Sequence, residues 1–216
     1  MTKIKSITWM TALSLLSTVN AAALECNGLQ NAASSELVSY LRKNIPNQGN
    51  AECVAFAINE IGEQRYEPAV PVLTKFLEFR WPVNARQKQR LFVLLEHDGK
   101  SIYPAATALE QIGKNALPAV AEALKAPVMS KQAGEVAVSV WMQIHKDEPV
   151  KGVALLKQEA DKTKDPAARQ RLGRAAYKAL GWCSPSDEAQ CKAAAETRYS
   201  KGALAHPFCF DSEAGG

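Results

Sequence analysis

A helix-ending signature recurs along this chain: Ile61-Gly62 followed by Pro68-Ala69-Val70, Ile112-Gly113 followed by Pro118-Ala119-Val120, and an altered copy, Ile144-His145 followed by Pro149-Val150. Glycine after the last apolar residue of a helix supplies a backbone that can turn left-handed. Proline fits the first turn of the next helix, where its missing N–H costs nothing. A chain that repeats this stop-and-start pair is restricted to short helices joined by tight turns.

Each unit can be read residue by residue. In residues 50–77, Asn50 is a cap, Val54, Ala57, Ile58 and Ile61 keep to one face, Gly62 stops the helix, and Pro68 opens a second one carrying Val72, Leu73, Phe76 and Leu77. Residues 101–124 repeat the plan. Ser101 is the cap, Ile102, Ala105, Ala106, Leu109 and Ile112 form the stripe, Gly113 is the left-handed stop, and Asn115 caps a helix with Pro118 in its first turn and Val120, Ala123 and Leu124 as its stripe. A third unit starts at Ser130, runs through Val136, Val140, Trp141 and Ile144, turns at His145, and continues with Val150, Val153, Leu155 and Leu156. His145 reads as a helix-end residue favourable to the dipole. Asp165-Pro166 announces a fourth first-helix, ending at Leu180-Gly181. From Ile61 to Ile112, Ile144 and Leu180 the intervals are 51, 32 and 36 residues. The last two suit a pair of short helices, whereas the first implies an insertion of roughly fifteen residues or one extra helix. Within it, residues 90–96 read as helix rather than short strand.

Across about residues 50–181 this pattern resembles the HEAT-like repeat proteins. The resemblance implies an all-α fold, a short right-handed α-solenoid of paired antiparallel helices whose second helices line the concave side. The spacing departs from the family's usual period, and the third copy lacks its glycine. The division that follows is a capping segment over residues 24–49, repeats over 50–181 with an insertion around 80–100, and a capping helix and tail over 182–216.

The N-terminus reads as a signal peptide over residues 1–23. Lys3 and Lys5 make it basic, residues 7–19 are apolar but diluted by Thr8, Thr11, Ser14 and Ser17, and Asn20-Ala21-Ala22-Ala23 offers small residues for cleavage before Leu24. The run is too short and hydroxyl-rich for a bilayer core of roughly 30 Å. Leu24-Glu25 before Cys26 does not suit lipoprotein processing. The expected location is periplasmic or secreted.

Export gives the cysteines a structural meaning. Cys26 and Cys53 lie at the front of the array, and Cys183, Cys191 and Cys209 lie behind it. Terminal repeats lack a neighbour on one side, and a disulfide of roughly 2–4 kcal/mol is an effective staple for them. Cys26 with Cys53 ties the leading segment, including residues 36–41, to the first repeat. Cys191 is within reach of Cys183, and Cys209 is left over, able to take either partner or stay free.

No motif points to chemistry. There is no C-x2-C pair for zinc, and His206 precedes Cys209 by three residues without a matching partner pair. His97, His145 and His206 are isolated from any nucleophile elbow. Gly99-Lys100-Ser101 resembles the end of a phosphate loop, but Leu94 stands where that loop needs glycine. No catalytic, cofactor or metal residues are assigned.

The formal charge of +4 falls to nearer +2 without Lys3 and Lys5, too little to argue for nucleic acid. Basic residues gather twice: Arg80, Arg86, Lys88 and Arg90 flank Trp81, and Arg169, Arg171, Arg174 and Lys178 fall on the last repeat. These are either solvated helix faces or, in the first group, a recognition segment for an acidic peptide, polysaccharide or protein surface, since Arg and Trp are favoured at hot spots. The reading is an exported protein-binding or assembly scaffold, its candidate contacts Arg80, Trp81, Arg86 and Arg90. The alternatives are an enzyme or enzyme-accessory factor with a substrate groove on the concave face, and a structural cell-envelope component.

Overall fold

The computed structural model describes residues 26, 28–44, 50–80 and 102–195, and in them the chain is helical, with no strand. The α-helices are α1 (Ser34–Asn44), α2 (Ala51–Glu63), α3 (Val70–Leu73), α4 (Pro104–Ile112), α5 (Leu117–Lys125), α6 (Lys131–Ile144), α7 (Pro149–Lys162), α8 (Pro166–Ala179) and α9 (Glu188–Ala195). The expected signal segment, residues 81–101 and the tail with Cys209 lie outside the described residues. No described helix is long and apolar enough to cross a membrane.

Three expected caps form as written. The Asn50 side chain accepts from the Glu52 and Cys53 amides at 3.0 and 3.4 Å, Ser130 accepts from Ala133 at 3.1 Å, and Asp165 accepts from Ala167 and Ala168 at 3.2 and 3.0 Å. Asn115 is different. It lies inside a 3-10 turn, Gly113–Ala116, and its amide donates to the Glu67 carboxylate of the preceding hairpin, so α5 starts without a side-chain cap. Ser101 lies outside the described residues, and α4 begins at Pro104, with Tyr103 before it making no side-chain cap.

The helix expected after Pro68 is three pieces: a 3-10 turn at Glu67–Ala69, the single turn of α3, and a 3-10 turn at Thr74–Phe76. The reason is a second proline. Pro71 has no N–H to return to the Glu67 carbonyl, so an i to i−4 ladder cannot run through it. Apolar burial holds the segment regardless, since Ala69, Val70, Val72, Leu73, Phe76 and Leu77 are all buried.

The two Ile-Gly copies end their helices differently. Gly113 has φ +78° and ψ −140°, a backbone that L side chains rarely adopt, as a stop residue should. Gly62 is not a stop: α2 runs on to Glu63, and the left-handed residue is Arg65 at φ +48°. The Arg65 amide donates to the Gly62 carbonyl at 2.9 Å and that of Tyr66 to Ile61 at 3.1 Å, a Schellman ending with arginine in the usual glycine position. Gly62 instead lets α4 approach. A Cβ there would fall 2.8 Å from Ala108 Cα and 2.3 Å from Gln111 Oε1.

Packing follows from that approach. α1 lies on α2, α2 on α4, α4 on α6 and α6 on α8, while the Thr74–Phe76 turn, α5 and α8 meet on the other side. One apolar cluster runs through, with Leu41, Ile58, Ile61, Leu109, Val120, Leu156 and Leu172 all fully buried. The third unit departs from the expected pairing of α6 with α7. Helix α7 packs mainly on α8 and α9 and meets α6 over a smaller area, at their shared turn. There the Trp141 indole donates to the Gly152 carbonyl at 2.8 Å and His145 Nδ1–H to the Trp141 carbonyl at 2.9 Å. His145 is therefore a buried helix-end residue bonded to its own helix. Helix α8 then reaches α5, where Arg171 Nε donates to the Lys125 carbonyl at 2.9 Å and so caps the end of that helix.

Both ends are stapled where the cysteine distribution placed the staples. Cys26 and Cys53 are at bonding distance with Cα atoms 5.4 Å apart, and Cys183 and Cys191 likewise with Cα atoms 6.6 Å apart. Two such pairs suit an oxidising, extracellular environment.

Candidate functional site

A groove of about 540 Å³ lies over α4 and α6, lined by Tyr103, Ala106 and Glu110 from one side, Gln132, Glu135 and Ser139 from the other, with Arg80 and Lys131 at its edge. The α4–α6 contact creates it. Successive turns of α4 present Tyr103, Ala106 and Glu110 at helical spacing, and α6 presents Gln132, Glu135 and Ser139 in the same way. Both are first helices of their units, so the groove does not lie on the second helices that a HEAT-like concave side implies.

Arg80 is exposed and contacts two neighbours. Its guanidinium sits 5.5 Å from the centroid of the Tyr103 ring, and the Gln132 amide, with its oxygen turned toward both residues, accepts from Arg80 Nε at 2.9 Å and from the Tyr103 hydroxyl. Arg80 and Tyr103, on either side of positions 81–102 in the sequence, thus contact each other. Of the four candidate contacts, Arg80 is placed at the groove, and Trp81, Arg86 and Arg90 lie outside the described residues.

Three of the four residues in the other basic group belong to packing. Arg171 caps α5, Arg169 Nε donates to the Thr163 carbonyl at 2.8 Å, and Lys178 pairs with Glu135 across from α8 to α6.

Glu110 is the residue that sequence reading missed. Its carboxyl is half-buried against α6, and burial pushes it up to about 7 even though the Lys146 charge opposes this. One signal was present: Glu110 stands four residues after Ala106, which the apolar stripe already assigned to the interior. Glu135, by contrast, is exposed and paired, so the two carboxyls do not form a buried pair. Among the described residues no three His, Cys, Asp or Glu side chains gather where a metal ion could sit.

A second hollow of about 490 Å³ lies between α7 and α9, lined by Lys151, Leu155, Lys157, Gln158, Asp161 and Ala194. Its Lys157 and Asp161 pair with each other at 3.4 Å, one turn apart on α7, so it brings no distant groups together. Compared with known proteins, the chain matches no family model, no curated sequence and no solved structure.

Proposed function

We propose that this chain is an exported, non-enzymatic binding or assembly module, built as a short α-solenoid of HEAT-like helical pairs, whose α4–α6 groove receives a segment of a partner protein. The observation that carries the reading is the mouth of that groove. Arg80 contacts Tyr103 and Gln132, beside the segment read from the sequence as an insertion, and interruptions of a scaffold are favoured places for recognition. Stacking of α2, α4, α6 and α8 supports the repeat reading, and the two cysteine pairs support export.

Glu110 favours a second reading, an enzyme or enzyme-accessory factor, because a carboxyl titrating near neutrality can carry a proton. The salt bridge of Glu135 to Lys178 weighs against it, since that leaves the groove without a second perturbed group.

The test is site-specific photo-crosslinking in the native envelope fraction. A benzoyl-phenylalanine replacing Lys131, at the groove edge, is expected to trap one discrete partner. The same probe replacing Lys157, in the hollow between α7 and α9, is expected to trap none. Equal capture at both positions, or none at Lys131, removes the groove from the proposal.

A further inference from the structure

The two staples hold their ends in different ways. At the front, Cys26 and Cys53 are both buried, and the neighbouring helix α1 also seats Leu37, Val38 and Leu41 in the core. That end does not depend on sulfur alone. At the back, Cys191 is fully buried but Cys183 is only partly so, between the exposed residues Trp182 and Ser184. Helix α9 brings no large apolar side chain to its interface: of its eight residues only Cys191 and Ala195 are buried, and the Lys192–Glu188 ion pair lies within α9 itself. The hollow of about 490 Å³ lined by Ala193, Ala194 and Leu155 leaves α9 and α7 incompletely closed on each other. The covalent tie from Cys183 to Cys191 is therefore the main attachment of α9.

We propose that Cys183–Cys191 is a redox latch, which a dithiol reductant opens in preference to Cys26–Cys53, releasing α9 from α7 and α8 while the rest of the array stays folded. Disulfide exchange begins when a thiolate reaches one of the two sulfurs, so access decides which bond reacts first. Partly exposed Cys183 gives that access, whereas Cys26 and Cys53 need the chain around them to open beforehand. The attacking thiolate bonds to Cys183 Sγ, the Cys183–Cys191 bond breaks, and the electron pair leaves on Cys191 Sγ, which takes up a proton. The second thiol of the reductant then displaces Cys183 from the mixed disulfide. The dithiol ends as a disulfide and the chain gains two thiols, a two-electron exchange with no further reactant. Without the tie, α9 keeps contacts made mostly by alanine, too few to offset the entropy of ordering its eight residues. Its departure uncovers the Leu155 face of α7.

The latch is independent of what the α4–α6 groove binds. Its test treats the full processed chain, with any free Cys209 thiol first blocked by N-ethylmaleimide, with dithiothreitol for graded times before alkylation and peptide mass spectrometry. Cys183 and Cys191 are expected to be labelled about tenfold or more faster than Cys26 and Cys53. Hydrogen exchange on the partly reduced protein should then show residues 188–195 losing protection while α2, α4 and α6 keep theirs. A Cys183→Ser/Cys191→Ser double variant, read by the same exchange measurement, should show the open α9 without any reductant. Labelling of all four cysteines at one rate, or of Cys26 and Cys53 first, refutes the selective opening. Protection of residues 188–195 that survives both reduction and the double variant refutes the release of α9. A non-reducing peptide map that pairs Cys183 or Cys191 with Cys209 overturns the latch altogether.

Discussion

Ile61-Gly62 and Ile112-Gly113 are the same dipeptide at the same point in the repeat, yet the two glycines answer different physical demands. Gly113 turns the chain with a positive φ, and a Cβ built there meets nothing within 4 Å. Gly62 keeps a helical backbone and is needed because Ala108 of α4 sits where its side chain would be. The turn that Gly113 performs alone is handed, in the first copy, to Arg65 three residues later. A repeat in sequence thus preserves the residue and the approximate place of the turn, while the neighbouring helix decides which constraint the residue satisfies.

The comparison breaks first at Gly62. Gly62→Ala forces its methyl into the Ala108 backbone, which cannot swing aside like a side chain, and is expected to destabilise the protein by about 3 kcal/mol. Adding Ala108→Gly should restore only part, because Ala108 Cα itself lies 2.8 Å from the new methyl. Gly113→Ala meets no atom and is expected to cost about 1–2 kcal/mol, the strain of a positive φ alone. Gly113→Asn should cost as much, because at ψ −140° the backbone lies outside the αL region that asparagine tolerates. Urea unfolding of the four variants checks the order, and equal losses at the two glycines would show that both serve as turns.

The same distinction explains what was legible in the sequence. Caps at Asn50, Ser130 and Asp165 are contacts within three residues, so the pattern shows them directly. Asn115 fits the same pattern, but its amide is taken by Glu67, a residue 48 positions away. The cysteine pairs could be read because they sit at the ends of the array, where an unpartnered face needs a tie. Pairing of α7 with α8 rather than α6 could not be read, because helix spacing fixes neighbours in sequence and not in space. Glu110 was missed for a like reason. Burial gives it its character, and its place one turn after Ala106 is the single trace of that burial in residues 104–112. The contacts among Arg80, Tyr103 and Gln132 join three segments, and of these residues sequence reading singled out only Arg80.

Aligned on the Ile-Gly dipeptide, Glu110 of the second copy corresponds to Asn59 of the first, so Glu110→Gln brings the two helices closer in chemistry. The folded carboxyl titrates near 7 rather than 4.5, so between those values the folded state holds a proton that the unfolded chain has released. Wild-type stability must therefore fall as pH rises from about 4.5 to 7 and stay lower above it. Glu110→Gln removes that fall. Relative to wild type it should gain about 1 kcal/mol at pH 8, after allowance for partial exposure, and nothing at pH 4. Urea midpoints at the two pH values check this, and a parallel pair of curves would mean that Glu110 is fully solvated.

The smallest effect is the most direct probe of how the first copy turns. Arg65 occupies the position that glycine occupies in most Schellman endings, with φ +48° and its amide bonded back to Gly62. A non-glycine residue there carries a backbone strain of about 1 kcal/mol, while glycine carries an extra entropy cost in the unfolded chain of somewhat less. Arg65 is exposed and holds no described ion pair, so its side chain gives little in return. Arg65→Gly is therefore expected to stabilise the protein by about 0.5 kcal/mol, and Arg65→Asn by less, since asparagine tolerates the left-handed region better than arginine. The contrast with Gly62→Ala is the informative part: adding one methyl at position 62 should lose several times what removing a whole side chain at position 65 gains. A loss of stability in Arg65→Gly would show that the arginine side chain holds the turn, and the division of labour between Gly62 and Arg65 would have to be redrawn.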